Sequence, residues 1–430
     1  MKVLVVRSGA REHALCWKLR QSPLLTDLFC APGNPGIGEI ADLVPVAVEE
    51  IQRLADFAEE MKIDLTVVGP ELPLTLGLAD ELRRRGLAVF GPSSQAAEIE
   101  GSKVFSKQFM ERHGIPTAPF VVVHDAQEAA AARGRFGWPT VLKADGLAAG
   151  KGVIIAADEA EYDAAVEEMF EERRFGVAAD RVVVEAFLEG EEVSFMALCD
   201  GERVLPLATA KDYKRIGDGD TGPNTGGMGS HSPAGVLSAE VAAEIFDTIL
   251  QATVAGLAAE GRSFTGVLYA GLILTAQGPR VLEFNARFGD PEAQVLLLRL
   301  EDDLLPVLAA GAAGNFGTRR LTFRKEAAAC IVLASPGYPG RPVQGEVIRG
   351  LDRASLLPGV EIFHAGTALA GDSEEGDGEL VSAGGRVLSV CALDADLVGA
   401  LRRAYAAVAE VDWPSKVFRH DIGRRVLDPA

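Results

Sequence analysis

Short apolar runs alternate with helical patterns along the first hundred residues of the chain. Residues 3–6, 65–68 and 88–90 are apolar runs that predict buried parallel strands, and each is followed by a turn that contains glycine. Helical patterns lie between them, over about residues 12–20, 50–61 and 74–85. This alternation predicts a doubly wound α/β domain over residues 1–101.

A sheet of this kind binds its ligands beyond the carboxyl ends of its strands. Gly9, Arg11 and Glu12 follow the first strand, and Asn34 and Glu71 fall at the same edge. We therefore expect these five residues to lie near a ligand.

The pattern changes after residue 101. Residues 102–325 are predicted helices interrupted by glycine-rich loops that carry lysine, which indicates nucleotide handling. Residues 326–430 form a last unit with strands at 330–334, near Ile362 and at 387–393, and a helix at 395–408. Because 430 residues exceed one typical core, the chain is predicted to be a multi-domain protein that combines α/β and α+β units.

A strand at 140–143 ends in Lys143 and leads into a glycine-rich loop that ends with Lys151. Glycines allow backbone N–H groups to approach phosphate oxygens, and an ammonium group neutralises their charge. The loop is not a Walker A motif, because three residues separate Gly146 from Gly150 and neither serine nor threonine follows Lys151. It is either a phosphate cradle or a simple connection.

Another strand, at 182–188, leads into an acidic turn that contains Glu189, Glu191 and Glu192. Backbone groups at such a crossing can contact an adenine edge, and a carboxylate can accept hydrogen bonds from ribose hydroxyls. A solvated acidic turn is the competing interpretation.

The segment 281–292 carries the strongest internal signal. In a strand, Glu283, Asn285 and Arg287 project from one face, and the apolar residues between them project from the other. Mg²⁺ prefers hard oxygen ligands such as Glu283 and Asn285 and shares its shell with substrate phosphates. Arg287 adds a planar fork suited to a carboxylate or a phosphate. The segment predicts a metal-assisted reaction centre, with an exposed polar strand face as the alternative.

Residues 211–229 are rich in glycine and poor in apolar side chains, so they cannot form core. They predict either a flexible surface loop or one that covers a substrate. Their length favours the second, because long structureless loops are uncommon in compact domains.

Composition narrows the choice of partners. The chain has 62 acidic and 42 basic residues and a net charge of −20, which disfavours nucleic acid and anionic membranes. Five scattered cysteines without a C-x-x-C pair fit a reducing compartment, so we expect a cytoplasmic protein. We expect no signal peptide and no segment close to the roughly 18 apolar residues of a membrane span. A monomer or weak homodimer is the expected state.

The ordered set of motifs resembles the phosphoribosylamine–glycine ligase (glycinamide ribonucleotide synthetase) family of purine biosynthesis nearly end to end. Single glycine loops are generic, whereas the ordered set is highly specific. The motifs are 11–15, 31–34, 68–71, 100–103, 143–152, 222–229, 283–292, 363–367 and 384–388.

The resemblance implies an ATP-grasp core of two subdomains, with a lid at about 121–190, between the N-terminal α/β domain and a small C-terminal α+β domain. It also implies that ATP, glycine and 5-phosphoribosylamine are converted to ADP, phosphate and glycinamide ribonucleotide through glycyl phosphate. The chemistry then depends on charge neutralisation and alignment more than on a nucleophilic side chain.

The resemblance also implies roles for individual residues. Lys103, Lys143 and Lys151 would hold ATP phosphates, and Lys143, Lys151 and Arg287 would act in catalysis. Glu283 and Asn285 would bind Mg²⁺ or Mn²⁺. The adenine and ribose would contact Glu185, Phe187, Leu188 and Glu192. The other substrates would contact Gly9, Arg11, Glu12, Asn34, Glu71, Asp212, Pro223, Asn224, Thr225, Gly226, Arg287 and Asp290.

The chain departs from the family at its first loop. The family pattern opens G-x-G-G-R-E-H, whereas this chain has Arg7 and Ala10 at the first and third glycine positions. Arg7 is strained if its position requires a positive φ. Three alternatives are open for its side chain: it points outward without effect, it adds a phosphate contact, or it obstructs the amine substrate.

Two other readings compete. Another ATP-grasp ligase, such as biotin carboxylase or an aminoimidazole ribonucleotide carboxylating enzyme, would share ATP and Mg²⁺ but not glycine. A dinucleotide-binding protein is disfavoured, because the first loop lacks G-x-G-x-x-G and the segment from Lys143 to Arg287 would be unexplained.

Overall fold

The first hundred residues form a five-stranded parallel sheet with helices around it. The computed structural model describes residues 1–146, 152–174, 176–371 and 378–424. The strand order is β3-β2-β1-β4-β5, so the chain reverses direction across the sheet at β1 and β4. The strands are β1 (Lys2–Val6), β2 (Asp27–Ala31), β3 (Asp42–Leu43), β4 (Leu65–Val68) and β5 (Val89–Phe90). The helices are α1 (Ala10–Leu19), α2 (Pro35–Gly38), α3 (Ile51–Glu60), α4 (Glu71–Thr75), α5 (Leu78–Arg84) and α6 (Ser94–Gly101).

The reversal places the loops after β1 and β4 side by side at the carboxyl edge of the sheet. Val3 to Val6 and all of β4 are buried, as expected for a parallel sheet that helices cover on both faces. The doubly wound fold predicted for this region is confirmed, and its topological switch point is the expected ligand edge.

A small four-stranded antiparallel sheet follows helix α7 (Lys103–Arg112), with strand order β6-β9-β7-β8. It has its own apolar core, formed by residues between Val123 and Val184. Its elements are β6 (Phe120–Val123), α8 (Ala126–Ala132), β7 (Thr140–Ala144), β8 (Val153–Ala156), α9 (Glu159–Val166), a π-helix (Glu167–Glu171), a 3₁₀-helix (Gly176–Asp180) and β9 (Val182–Ala186).

An eight-stranded sheet dominates the rest of the molecule, with strand order β16-β15-β10-β11-β14-β17-β21-β18. Its first part is made of β10 (Glu191–Asp200), β11 (Val204–Asp212), β12 (Arg215–Gly217), β13 (Thr221–Asn224), β14 (Gly229–Ser232), α10 (Ala239–Ile245), a π-helix (Phe246–Gln251), α11 (Ala252–Ala259), β15 (Thr265–Thr275), β16 (Gly278–Asn285), α12 (Glu292–Arg299) and α13 (Leu304–Ala312). Strands β12 and β13 pair with each other outside this sheet.

The remaining elements extend the same sheet and cover it. They are β17 (Ala327–Ala334), α14 (Leu351–Ser355), β18 (Val360–His364), β19 (Thr367–Ala370), β20 (Glu379–Ser382), β21 (Arg386–Asp394) and α15 (Leu397–Glu410). Strand β14 pairs with β17, so the sheet runs without a break across the boundary expected at residues 325 and 326.

The expectation of a structureless loop at 211–229 is partly wrong. Strands β12 and β13 form a hairpin within it, with Arg215 opposite Asn224. Gly219 and Asp220 have positive φ and form its turn, which allows a segment poor in apolar residues to pair locally.

One helical stretch, Ala239–Ala259, is long and apolar enough to cross a membrane by length and composition, although no such segment was expected. Its residues Ile245, Ile249, Leu250, Val254 and Leu257 are buried in the main core. A core helix passes the same test, so this feature is weak support for a membrane segment.

Candidate active site

Strand β16 lies at the edge of the eight-stranded sheet and carries the predicted metal ligands. Its pairing with β15 is interrupted, because Gly271 lies opposite Glu283 while Leu272 lies opposite Val281. Leu282 is the extra residue of this bulge, so it does not join the core as strict alternation predicted. Phe284 is buried as expected. Glu283 packs over Gly271, and its side chain is 45% exposed.

Arg287 lies beyond the end of β16, in a bend, and not in the strand as predicted. It still reaches back, because its Nη2 donates to Asn285 Oδ1 at 3.2 Å. Its Nε donates to Glu71 Oε2 at 3.0 Å, and its Nη2 lies 3.1 Å from Glu100 Oε1. One guanidinium therefore joins the ligand edge of the first domain to the predicted metal ligands.

The two carboxylates around Arg287 have different environments. Burial opposes ionisation of Glu71, but Arg287 and Arg11 outweigh it and lower its pKa to about 2. Burial raises the pKa of Glu100, and the charge of Glu71 adds to that effect. Glu100 Oε2 also accepts a hydrogen bond from the Ala286 amide at 2.7 Å, which fixes the loop after β16.

A buried ion cluster lies behind the predicted ATP site. Lys143 Nζ is 2.6 Å from Glu185 Oε1 and donates to the Leu282 carbonyl at 3.0 Å. Lys107 contacts the other oxygen of Glu185, and burial lowers the pKa of Lys107 to about 8. The Glu185 side chain is thus occupied by two lysines, and its backbone lies in β9 between β6 and β7. Lys107 was not predicted as a site residue.

Lys103 begins helix α7 and approaches the glycine-rich loop from the other side. Its Nζ donates to the Gly146 carbonyl at 2.8 Å. The preceding Ser102 hydroxyl donates to Asp145 at 2.9 Å, which joins the helix start to the loop. Lys151, predicted to hold phosphate, lies outside the described residues, as does most of that loop.

Positive charges converge on Glu283. Burial opposes its ionisation, but Lys214, Lys143, Lys103 and Arg287 outweigh that effect and lower its pKa. Lys214 Nζ lies 3.9 Å from Glu283 and 3.1 Å from Glu192. The centre therefore combines an ionised carboxylate with several cations, which suits anionic oxygens shared between a metal and lysines.

The donor set of Glu283 and Asn285 fits a magnesium-type ion. Both supply hard oxygens, and the described residues contain no group of three or more acidic, histidine or cysteine side chains that could hold a metal alone. Two protein ligands are the usual number for Mg²⁺ that completes its shell with water and substrate phosphate.

One of the residues expected near the nucleoside, Glu192, is joined to this centre through Lys214. Phe187 is exposed at the crossing after β9, and Leu188 is half-buried. Glu192 is exposed and pairs with Lys214, a cation that the sequence analysis did not assign.

Another carboxylate, that of Asp212, lies in the interior at the end of β11, just before the hairpin. Asp212 Oδ1 is buried without a hydrogen-bond partner among the described residues. Burial and the nearby Glu292 raise the pKa of Asp212 well above its ordinary value. Gly227 packs against it so closely that a Cβ there would lie 2.7 Å from that oxygen.

The other predicted residues of this loop differ in exposure. Thr225 donates its hydroxyl to the Lys214 carbonyl at 2.7 Å, and the Gly226 amide donates to Tyr338 at 2.9 Å. Pro223 is exposed and Asn224 is half-buried. These bonds fasten the base of the hairpin, and the Gly219 amide in its turn donates to Asp421 Oδ2 at 2.8 Å.

At the N-terminal ligand edge, the predicted residues are closely connected. Glu12 Oε2 accepts from the Gly9 amide at 2.9 Å, and Arg11 Nε donates to Glu12 Oε1 at 2.7 Å. Asn34 donates to the Ser8 carbonyl at 2.7 Å and accepts from Ile37, so its side chain holds the loop together. The side-chain amide of Asn34 is therefore already used in these hydrogen bonds, and a substrate that contacts Asn34 would have to share it with them.

Asp290 continues the same edge on the far side. Its Oδ2 lies 3.1 Å from Arg386, and its Oδ1 accepts from Gln294 at 2.7 Å. Arg386 comes from β21 and was not predicted to take part. It lies in the motif at 384–388, but no role could be assigned to it there, because only the fold brings it next to Asp290.

The expected strain at Arg7 is present. Its φ is +113°, in the region that favours glycine, and its side chain is exposed. Ala10, the other departure from the family pattern, starts helix α1 without strain.

Comparisons with known proteins agree with this architecture. The phosphoribosylglycinamide synthetase N domain matches residues 1–100, its ATP-grasp (A) domain matches 101–293, and its C domain matches 328–425. The predicted fold class, an N-terminal α/β domain, an ATP-grasp core and a C-terminal domain, is confirmed.

Individual relatives span the whole length. A phosphoribosylamine–glycine ligase of Brucella melitensis is 49% identical over 428 residues, covering 100% of this chain and 99% of that protein. The crystal structure of the phosphoribosylamine–glycine ligase of Thermotoga maritima has 33% identity and a TM-score of 0.84, covering 98% of this chain and 100% of that one.

A biotin carboxylase domain of Hydrogenobacter thermophilus 2-oxoglutarate carboxylase has a TM-score of 0.73 at 18% identity, covering 97% of this chain and 91% of that one. This likeness concerns the fold alone, so the carboxylase reading gains no support from it. Three adjoining family domains and a relative that shares about half of all positions place the chain in the phosphoribosylamine–glycine ligase family.

Proposed function

We propose that this protein catalyses the ATP-dependent ligation of glycine to 5-phosphoribosylamine, giving glycinamide ribonucleotide, ADP and phosphate. A glycine carboxylate oxygen bonds to the γ-phosphorus of ATP as the bond to ADP breaks, which gives glycyl phosphate. The amine nitrogen then bonds to the acyl carbon, phosphate leaves with the acyl oxygen, and the nitrogen loses a proton. Both steps need alignment of anions more than a protein nucleophile.

The position of Arg287 is the observation that carries the proposal. It contacts Glu71 at the ligand edge of the first domain and Asn285 of the proposed metal pair. An acyl phosphate formed beside it would lie between the phosphate-binding lysines and the amine. The rigid carboxylate clamp orients the guanidinium toward that position before substrates bind.

Glu283 and Asn285 would hold Mg²⁺ or Mn²⁺, which when bound supplies charge neutralisation at the ATP phosphates. Lys103, Lys143 and Lys151 would contact the phosphate oxygens. Burial lowers the pKa of Lys103, yet the ionised Glu283 nearby favours its charged form.

Glycine would lie between Arg287 and Asp212. Arg287 suits the carboxylate of glycine. Burial and Glu292 oppose ionisation of Asp212, but the ammonium group of glycine would favour the ionised form and would donate to its partnerless oxygen. Pro223 to Gly226, beside the turn of the hairpin, would cover the substrate.

The adenine would contact Glu185, Phe187 and Leu188, and the ribose would contact Glu192. The unit at about 121–190, which has a separate core, would close over ATP as a lid. The proposed domains are 1–101, 102–325 and 326–430, and the last would support the edge at which the amine binds.

Phosphoribosylamine would bind at the edge formed by Gly9, Arg11, Glu12, Asn34, Glu71 and Asp290. The switch point of the sheet and the contact of Glu71 with Arg287 support this placement.

The reaction is tested by incubating the protein with ATP, Mg²⁺, glycine and freshly generated phosphoribosylamine. We expect ADP release that requires glycine, together with glycinamide ribonucleotide identified by its mass. ADP release that continues unchanged without glycine would refute the proposal. Release that depends on bicarbonate would instead indicate a carboxylating enzyme.

The metal assignment is tested with Glu283→Ala. We expect loss of metal-dependent turnover and an unchanged circular dichroism spectrum, because the Glu283 side chain is partly exposed and is not part of the apolar core. The matched control is Glu202→Ala, an exposed glutamate in the turn between β10 and β11. Equal turnover and an equal Mg²⁺ response in the Glu283 variant would contradict the assignment.

A further inference from the structure

Arg7 has a fixed backbone and a free side chain at the ligand edge. Its amide donates to the Ala31 carbonyl at 2.7 Å, and its own carbonyl accepts from Cys30 Sγ at 3.0 Å. The backbone of Arg7 is thus hydrogen-bonded to the end of β2, next to the end of β1, while its side chain is exposed. The guanidinium leaves the sheet at the edge where the amine substrate is proposed to bind.

Other arginines at this edge are already engaged. Among the described residues, the Arg7 guanidinium donates no hydrogen bond and forms no ion pair, so all its donors are available. The engaged pairs are Arg11 with Glu12 and the Phe288 carbonyl, Arg287 with Glu71 and Glu100, and Arg386 with Asp290.

The edge as a whole is rich in carboxylates. Glu12 sits in the first turn of helix α1 and accepts from the Gly9 amide, so it offsets the attraction that this helix start would have for an anion. A phosphate monoester with a charge near −2 therefore needs an additional cation to bind here.

The Arg7 charge is near enough to influence the carboxylates of the pocket. Burial opposes ionisation of Glu71 and Asp290, but neighbouring arginines outweigh it and lower the pKa of both, and Arg7 is among them. For Glu71 the effect of Arg7 is smaller than those of Arg287 and Arg11, and for Asp290 it is smaller than those of Arg386 and Arg11. This fits a guanidinium at the rim of the pocket that contacts neither carboxylate.

Obstruction is disfavoured on physical grounds. An exposed arginine with no partner can rotate about several bonds, so it can yield to a substrate that enters. Meanwhile its backbone keeps a conformation that costs on the order of 1–3 kcal/mol for a residue other than glycine. Strain of this kind clusters at active sites, ligand clamps and switch regions.

We propose that Arg7 binds the 5-phosphate of the pentose substrate and makes the site select phosphorylated over unphosphorylated amines. The inference rests on the proposed function, since that function supplies the phosphorylated pentose. The planar fork of arginine can donate two parallel hydrogen bonds to phosphate oxygens.

The test compares two ligands on several variants by calorimetry. The ligands are glycinamide ribonucleotide, the stable product, and the same compound without its phosphate. Arg7→Gly and Arg7→Ala should each weaken the phosphorylated ligand by about tenfold, the usual size of a charged hydrogen bond, and leave the other ligand unchanged. Arg7→Lys should restore part of the loss, because it keeps the charge without the fork.

Arg20→Gly is the matched control, because Arg20 is an exposed arginine of the same domain at the opposite end of helix α1. It should bind both ligands as the unaltered protein does. In turnover assays, Arg7→Gly should raise KM for phosphoribosylamine and leave the KM values for ATP and glycine unchanged.

Three results would overturn the inference. These are unchanged or tighter binding of the phosphorylated ligand in Arg7→Gly, an equal loss for both ligands, and absence of any phosphate preference in the unaltered protein. The proposed function fails separately, if the unaltered protein shows no glycine-dependent ADP release.

Discussion

At the scale of single residues, Arg7 gives a prediction about stability that is independent of substrate binding. Its φ of +113° is accessible to glycine at little cost but strained for arginine. Replacing it with glycine relieves the strain, although glycine also makes the unfolded chain more flexible, which offsets part of the gain. We expect Arg7→Gly to raise the free energy of unfolding by about 1 kcal/mol, measured by urea denaturation.

Arg7→Ala separates backbone strain from charge. Alanine keeps a Cβ, so it should give no comparable gain in unfolding free energy. Equal stabilisation by alanine and glycine would mean that the repulsion among arginines, and not φ, is relieved.

The residue scale also shows the limits of sequence reasoning. A glutamate, an asparagine and an arginine at alternate positions, Glu283, Asn285 and Arg287, were enough to predict a site for a metal and an anion. The contact of Arg287 with Glu71 joins residues 216 positions apart, and no local pattern encodes it. Lys107 was missed for the same reason, because only the fold brings its helix against Glu185 on β9.

At the scale of elements, the segment from Asp212 to Gly229 depends on one close approach. Gly227 has a φ of +110°, and a Cβ there would lie 2.4 Å from Pro291 Cδ. A Cβ at position 227 would be too close to both Pro291 and Asp212, and the structure cannot relieve both contacts at once. Gly227→Ala should therefore lower the unfolding free energy by about 2–3 kcal/mol and reduce turnover. Denaturation and glycine-dependent ADP release measure the two effects.

Gly219 provides the comparison within the same loop. It also has a positive φ, +68°, but a Cβ there would have no atom within 4 Å. Gly219→Ala should therefore cost only the conformational term, about 1 kcal/mol. If both variants lose the same stability, the packing around Gly227 contributes nothing beyond φ.

Elements with a clear period were predictable, and irregular ones were not. The strands of the first domain appear as short apolar runs because both faces of that sheet are buried. The bulge at Leu282 and the hairpin at 215–224 left no such signal, since each depends on pairing with a specific neighbour and not on burial.

At the scale of the whole molecule, the first and last parts of the chain meet beside the ligand edge. Helix α1 packs on β18, and the His364 amide donates to His13 Nδ1 at 2.9 Å. Asn34 also donates to the His364 carbonyl at 2.8 Å. The C-terminal unit thus holds the loops that are proposed to bind the amine.

This junction predicts a loss of stability in mild acid. Burial lowers the pKa of His13 to about 3, so the unfolded chain, titrating near 6.5, takes up a proton before the folded one does. The stability that this provides is complete above pH 6.5 and decreases as the pH falls toward 3; by pH 5 the loss amounts to about 2 kcal/mol.

His13→Asn keeps an acceptor and cannot be protonated, so its unfolding free energy should fall less between pH 7 and 5. His124→Asn, at an exposed site, should follow the unaltered protein. Parallel pH profiles for the His13 variant and the unaltered protein would show that acid acts elsewhere, and His364, whose pKa burial lowers to about 4, would be the next residue to replace.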